Sequence, residues 1–274
     1  MNNSLMPSEW RLIDESNNQN RSPLESFATD DTLCHLIGEQ LSLPTIRTWV
    51  HSDAVVLGIQ DHRLPYIKQG MDFLLSENYQ PIVRNSGGLA VVLDSGVLNI
   101  SLIISEHEHA ISINVAFDMM VNFIKELFPE VAHKIEAYEI VGSYCPGTYD
   151  LSIAGKKFAG ISQRRMKGGI AVQIYLCIEG SGSERAELIK QFYEIGLQNE
   201  PTKFTYPTIT PHVMASLQEL LQTDITVAEV NMRIQQMLIK QQTNLQMQSF
   251  SVSENELYSY YLKRVFDRNK NMLG

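Results

Sequence analysis

Arg84-Asn85-Ser86-Gly87-Gly88-Leu89-Ala90-Val91-Val92-Leu93-Asp94-Ser95-Gly96-Val97-Leu98-Asn99-Ile100-Ser101 is the stretch on which the fold turns. Aliphatic and β-branched runs bounded by glycine turns are strand signals. The run continues to Ile104, so Leu89 to Leu93 and Leu98 to Ile104 read as strands on either side of Asp94-Ser95-Gly96. On spacing alone this is a hairpin with glycine turns. The same paired glycines also let a backbone approach a ligand closely, or turn its N–H groups toward an anion or oxyanion.

Working outward, Ile46 to Val50 and Val55 to Gly58 read as strands upstream, with Val83 in another. Downstream, Phe117, Met120, Val121, Ile124 and Leu127 recur at helical spacing, and Pro129 supplies the stop. Further strands are expected at Lys134 to Ile140, Tyr149 to Ile153, Lys157 to Ser162 and Gly169 to Ile178. The middle of the chain therefore alternates sheet, helix and sheet. A short helix is expected through Asp30 to Ile37, with its acidic residues in the first turn. Residues 1–25 read as a polar arm, 26–207 as the catalytic domain, and 208–274 as an all-helical segment. In that last segment Thr226 to Glu229 and Ser253 to Glu256 resemble capping boxes.

A hydrophobic content of 44% with 19% charged residues is ordinary for a globular chain of 274 residues. No stretch reaches the roughly 18 apolar residues of a membrane helix. The first residues form neither a secretory signal nor a transit peptide, so the expected address is the cytoplasm. A formal charge of -9 disfavours nucleic acid as a partner. The three cysteines, Cys34, Cys145 and Cys177, have no C-x-x-C spacing, which points away from a disulfide framework and from a cysteine zinc site.

Cys145 stands apart from the other two. It lies in Gly142-Ser143-Tyr144-Cys145-Pro146-Gly147, a Pro- and Gly-punctuated loop that can present its sulfur, whereas Cys34 and Cys177 fall in helix and strand patterns suited to burial. A thiol of ordinary pKa, ~8.5, is mostly neutral at pH 7, and a nearby ammonium favours the thiolate. Lys156 and Lys157 follow on the neighbouring strand. Because strand side chains alternate, one of them faces the site and the other faces solvent.

The two glycine-rich stretches together resemble the catalytic domain of the biotin and lipoate protein ligases. Arg84 to Asn99 match the pattern R-x-x-G-G-x-x-V-x-x-D-x-G-x-x-N, and Gly155-Lys156-Lys157-Phe158-Ala159-Gly160 match the lysine-bearing segment. Through Gly142 to Gly147 and Lys157 to Arg165, the chain is most similar to the cysteine-dependent acyltransferase branch. The resemblance implies an α/β fold of the α+β type, with a mixed, largely antiparallel sheet flanked by helices. It implies that Cys145 carries an acyl group as a thioester and that Lys157 lowers the thiol pKa and contacts the acyl carbonyl. Arg84, Ser86, Gly87, Gly88 and Gly160 become substrate-binding residues, and no cofactor or metal is implied. Three departures from the ligase pattern, Leu89 for a third glycine, Leu93 for a histidine and Tyr149-Asp150 for Asn-Asp, weaken ATP chemistry and favour transfer.

By the same resemblance the donor is an octanoyl-bearing H protein of the glycine cleavage system, and the acceptor is a lysine on the lipoyl domain of a 2-oxoacid dehydrogenase E2 subunit. Burying about seven tail carbons at ~0.8 kcal/mol each gives an upper estimate near ~6 kcal/mol, enough to prefer octanoyl to acetyl strongly. An ATP-dependent lipoate or octanoate ligase and a non-catalytic lipoyl-domain-binding protein are the alternatives. Backbone N–H groups at Gly87-Gly88 or beside Cys145 are the candidate oxyanion donors. Arg164-Arg165-Met166-Lys167 reads either as a dock for acidic carrier domains or as a solvated turn. His51 and His107 read as neither catalytic bases nor metal ligands.

Overall fold

The computed structural model describes residues 7–18 and 21–273; the rest of the expected arm, residues 1–6 with 19 and 20, lies outside them. The chain runs β1 (Glu9–Glu15), α1 (Pro23–Gly38), β2 (Thr45–Trp49), β3 (Ala54–Leu57), α2 (Ile67–Ser76), β4 (Gln80–Val83), β5 (Val91–Leu93), β6 (Val97–Ser105) and α3 (Ile113–Leu127). It continues through β7 (Ile135–Ala137), β8 (Leu151–Ile153), β9 (Lys156–Met166), β10 (Gly169–Cys177) and α4 (Gly182–Leu197). Last come α5 (Leu217–Leu221), α6 (Val227–Lys240), β11 (Asn244–Met247) and α7 (Val252–Leu273). Eight strands form the main sheet, ordered β11-β1-β2-β6-β10-β9-β8-β7, and β4-β3-β5 form a second, smaller one. The main sheet is antiparallel from β2 to β7 and parallel only across β11, β1 and β2, so the expected mixed, largely antiparallel architecture is present.

Alternation along two strands explains why the sheet has one apolar and one mixed face. On β6, Leu98, Ile100, Leu102 and Ile104 join Ile170, Val172, Ile174 and Leu176 of β10 in the core beneath α3 and α6. Asn99 and Ser101 project the opposite way, as do Gln173 and Tyr175. On that second face Trp49, Asn99, Tyr175 and Gly160 pair across four adjacent strands, with Arg47, Ser101, Gln173 and Ser162 in the next row. The mixed face is covered by α1 and the small sheet.

Several element readings need correction. The Gly87-Gly88 segment is not a hairpin: β4 and β5 lie on opposite sides of β3, and β6 belongs to the other sheet. Within the expected arm, β1 pairs with β2 and β11, because Trp10 and Leu12 enter the core while Arg11 is neutralised by Glu254 of α7 at 2.5 Å. The segment 208–274 is not all helix, since β11 extends the main sheet. Helix α1 starts upstream of Asp30 at the Ser22/Glu25 capping box with Pro23 in its first turn, so Asp30 and Asp31 sit in mid-helix. They are buried there and paired with Arg47 and Arg164. Helix α7 is capped by Ser251 with Glu254, two residues before the expected Ser253. Helices α2 and α4 are additions to the reading. Asn269 of α7 bonds both the N–H and the C=O of Val83, at 2.8 Å each, and thereby closes the free edge of β4.

Candidate active site

Between the mixed face of the main sheet and the small sheet lies a cavity of about 500 Å³, within the usual range for a small-molecule site. Phe27 of α1 and Trp49 of β2 meet edge to face at 6.2 Å and, with Val56, Val91 and Leu93 of the small sheet, make apolar wall. Arg84, Ser86, Gly87, Gly88, Cys145 and Gly160 all line it. Lys157 does not: it is fully buried, while Lys156 is exposed, so one of the two lysines turns inward and the other to solvent, as strand alternation requires.

Cys145 lies in the β7–β8 connection with φ 46°, the left-handed region, and its thiol is partly exposed at the cavity wall. The Leu89 N–H donates to Sγ at 3.1 Å across 56 positions of sequence. Glycine motif and cysteine loop are thereby in direct contact. At Gly88 the backbone adopts φ +118°, and an added Cβ would fall 2.4 Å from Arg84 Nη1 and 3.1 Å from Cys145 Sγ. Only glycine fits that position without displacing either neighbour. Arg84 donates from the same Nη1 to the Gly87 carbonyl at 2.9 Å, which fixes the bend. Gly88→Ala is expected to leave the chain folded but to slow reaction of the Cys145 thiol with an added electrophile at least about tenfold, since the loop must move to admit the methyl. The rate of that reaction beside a melting curve checks this.

Lys157 sits under the cysteine loop. Its Nζ donates to the carbonyl oxygens of Tyr144 and Cys145 at 2.9 and 2.8 Å and meets Ser143 Oγ at 3.3 Å. Asp150 Oδ1 pairs with it at 2.9 Å. Burial pushes the Asp150 carboxyl up, and the Lys157 charge opposes that push. The ammonium also lies 5.9 and 5.8 Å from the ring centres of Tyr144 and Tyr175, which stack on each other. A fixed positive charge is thus held directly beneath the loop that carries the thiol.

Sequence reasoning missed several wall residues. Phe27, Trp49, Asn99, Gln173 and Tyr175 line the cavity, and Gln173 is held by Asp30 at 2.6 Å. The sequence signal for Asn99 and Gln173 was there: each is a polar residue at one phase of an otherwise aliphatic strand. Asp150 was noted only as a departure from the ligase pattern, not as the partner of Lys157. Asp94 and Gly96, the second half of the glycine motif, serve the frame: Arg185 of α4 grips both Asp94 oxygens at 2.6 and 2.7 Å.

Of the remaining candidates only Arg165 lines the cavity. Cys34 and Cys177 are buried, and burial raises both thiols. Arg164 and Arg165 are ion-paired with Asp31 and Glu106 of their own chain at 2.7 and 3.0 Å. His51 is buried with Nε2 2.9 Å from Ser26 Oγ, and burial holds it down at about 4. The His51 ring is therefore neutral at pH 7. Among the described residues no group of three His, Cys, Asp or Glu side chains is placed to hold a metal, and no helix is long and apolar enough to cross a membrane.

Comparison with known proteins places the chain in a family. Residues 22–239 match the Lipoyl protein ligase A/B catalytic domain family. A protein of Lysinibacillus sphaericus named octanoyl-[GcvH]:protein N-octanoyltransferase is 64% identical over 274 residues, covering 100% of this chain and 99% of that relative. One of the same name from Anoxybacillus flavithermus is 50% identical, with 100% and 99% covered. Among solved structures, a lipoate-protein ligase A bound with ATP aligns with a TM-score of 0.69 at 16% identity, covering 94% of this chain and 95% of that one. A T. acidophilum protein with bound lipoic acid aligns at 0.67 and 15%, covering 96% of each. At these identities the likeness to solved structures speaks for the fold.

Proposed function

As a member of the lipoyl protein ligase A/B catalytic-domain family, the chain is an acyltransferase, and we propose that it moves an octanoyl group through a thioester on Cys145. The donor is the H protein of the glycine cleavage system, the partner that the relatives' shared name specifies. The acceptor is the lipoyl-domain lysine of a 2-oxoacid dehydrogenase E2 subunit. The observation that carries this reading is the placement of the Cys145 sulfur at the wall of an apolar cavity, under the Leu89 N–H and above the buried Lys157 ammonium.

In the first half-reaction the Cys145 thiolate attacks the amide carbonyl of the donor's octanoyl-lysine. The oxygen becomes an oxyanion, the C–N bond breaks, and the proton shed by the thiol leaves on the donor amine. In the second, a neutral acceptor amine attacks the thioester carbonyl, the C–S bond breaks and the thiolate is restored as the new amide loses its extra proton. Overall one amide is exchanged for another of like energy, so no nucleotide is consumed. Arg84, Ser86, Gly87, Gly88 and Gly160 shape the cavity beside the reacting carbon. The Leu89 N–H, freed from the sulfur as it acylates, is a donor for the oxyanion, and Lys157 supplies positive charge below it.

The test is the intact mass of the wild-type chain after mixing with octanoyl-H protein in the absence of ATP. An added octanoyl group that neutral hydroxylamine removes, and that maps to the peptide holding Cys145, is the expected result. An unmodified chain under single-turnover conditions, or acylation only when free octanoate and ATP are supplied, would overturn the reading in favour of a ligase.

A further inference from the structure

Asp61 is a buried carboxylate that the acyl-transfer steps do not use, and among the described residues no cation lies within ion-pair distance of it. Each of its oxygens nonetheless accepts a hydrogen bond. Oδ2 accepts from the Gly58 N–H at 2.6 Å, and Oδ1 accepts from the Tyr193 hydroxyl of α4 at 2.9 Å. The Tyr193 oxygen in turn accepts from the Ala90 N–H at 3.3 Å, one residue beyond the Leu89 N–H that reaches Cys145 Sγ. Gly58 is pressed flat on the same loop: a Cβ there would stand 2.1 Å from the Gly88 carbonyl oxygen and 2.9 Å from Leu89 Cα. The carboxylate thus grips both sides of the Gly88-Leu89-Ala90 backbone, through Gly58 beneath it and Tyr193 above it.

We infer that Asp61 and Tyr193 are positioning residues that hold the Leu89 N–H against the Cys145 sulfur and so favour its thiolate. The proposal rests on the reading of Cys145 as the nucleophile for its functional meaning, and on the hydrogen-bond geometry for its substance. A hydrogen bond to a charged acceptor is strong only when its donor is held in line. Without a side-chain prop, a loop with glycines at 87 and 88 would let that donor drift. Burial raises Asp61 to about 6. Its bonds from Gly58 and Tyr193 and the charge of Arg84 pull the other way and keep the carboxylate available as an acceptor near neutrality.

Thiolate formation is read directly by alkylation, independent of any acyl donor. The charged and titratable groups facing Cys145 are Lys157 and Asp150 from the sheet, Arg84 from the glycine loop, Tyr175 from β10, and Tyr193 with Asp61 behind the loop. Two substitutions remove no charged side chain: Tyr193→Phe, which deletes the hydroxyl, and Gly58→Ala, which pushes on the Gly88 carbonyl from the other side. In each, iodoacetamide alkylation of Cys145 at pH 7 is expected to slow about tenfold, the loss of roughly one hydrogen bond to a charged sulfur. Above pH 10, where the thiol is ionised regardless, the rate should stay within twofold of wild type. Folding is followed by circular dichroism, and the second variant keeps the test alive if one fails to fold. Folded variants that alkylate like wild type at pH 7, or that slow equally at both pH values, would overturn the positioning role. Because no acyl group is involved, a wild-type chain that fails to acylate would sink the transfer reading and leave this result standing, and the converse also holds.

Discussion

With serine in place of Cys145, transfer of octanoyl from the H protein to a lipoyl domain is expected to fall roughly a thousandfold or more, to the background of the assay. The reason is chemical. Serine occupies the same left-handed position with similar ease, its hydroxyl can accept the Leu89 N–H as the sulfur does, and a partly exposed site costs little in packing. Melting should therefore stay within about 0.5 kcal/mol of wild type. What is lost is ionisation: near neutral pH a hydroxyl needs a general base to attack an amide. The side chains gathered here are Lys157 and Asp150, committed to each other, an arginine and a tyrosine, none of them a histidine-like base. The variant should also carry no hydroxylamine-labile adduct. A folded Cys145→Ser chain that transfers at a tenth of the wild-type rate or better would rule out covalent catalysis by this residue.

How much of this was legible in the sequence depends on whether the determinant was local. The aliphatic phase of β6 and β10, the stripe of α3 and the glycine punctuation are local, and they placed the central strands and one helix nearly to the residue. Cys145 could be singled out because a Pro- and Gly-bounded loop presents a side chain. Lys157 could be preferred to Lys156 only by combining strand alternation with the family pattern. The cavity wall was less accessible: Phe27 and Trp49 come from separate elements and meet only after α1 has packed across the sheet. Strand β1 was hidden because Arg11 and Glu9 make Glu9–Glu15 look polar, and the partners that permit its burial, Glu254 and β11, lie at the far end of the chain. The contact that joins the two motifs is a backbone N–H, which has no signature in side-chain text. Leu89 was noted for the glycine it replaces, whereas its contribution is the amide that any residue but proline would bring there.

Lys157→Met separates two roles that the wild-type chain combines, and both are expected to fail together at first. Removing the ammonium strips the donors from the Tyr144 and Cys145 carbonyls and leaves Asp150 buried without its cation. Breaking a buried pair from one side typically costs about 3–5 kcal/mol, so the single variant should melt well below wild type. The pH dependence follows from the sign of the Asp150 shift. Burial raises that carboxyl above its unfolded value, and without Lys157 nothing opposes the rise. A group raised on folding favours the fold while protonated and loses that contribution as pH increases through its folded value. The stability deficit of Lys157→Met should therefore be smaller near pH 5 than near pH 8. Adding Asp150→Asn removes the stranded charge and should return most of the melting temperature, while transfer stays roughly a hundredfold to ten-thousandfold below wild type at pH 7. Raising the pH toward 10 should recover part of that loss, because the thiol then ionises without help. The recovery should be incomplete, since the carbonyls that the ammonium held no longer fix the loop. Full activity in the stable double variant at pH 7 would reduce Lys157 and Asp150 to a packing pair. A pH–rate profile parallel to wild type would deny the ammonium any part in forming the thiolate.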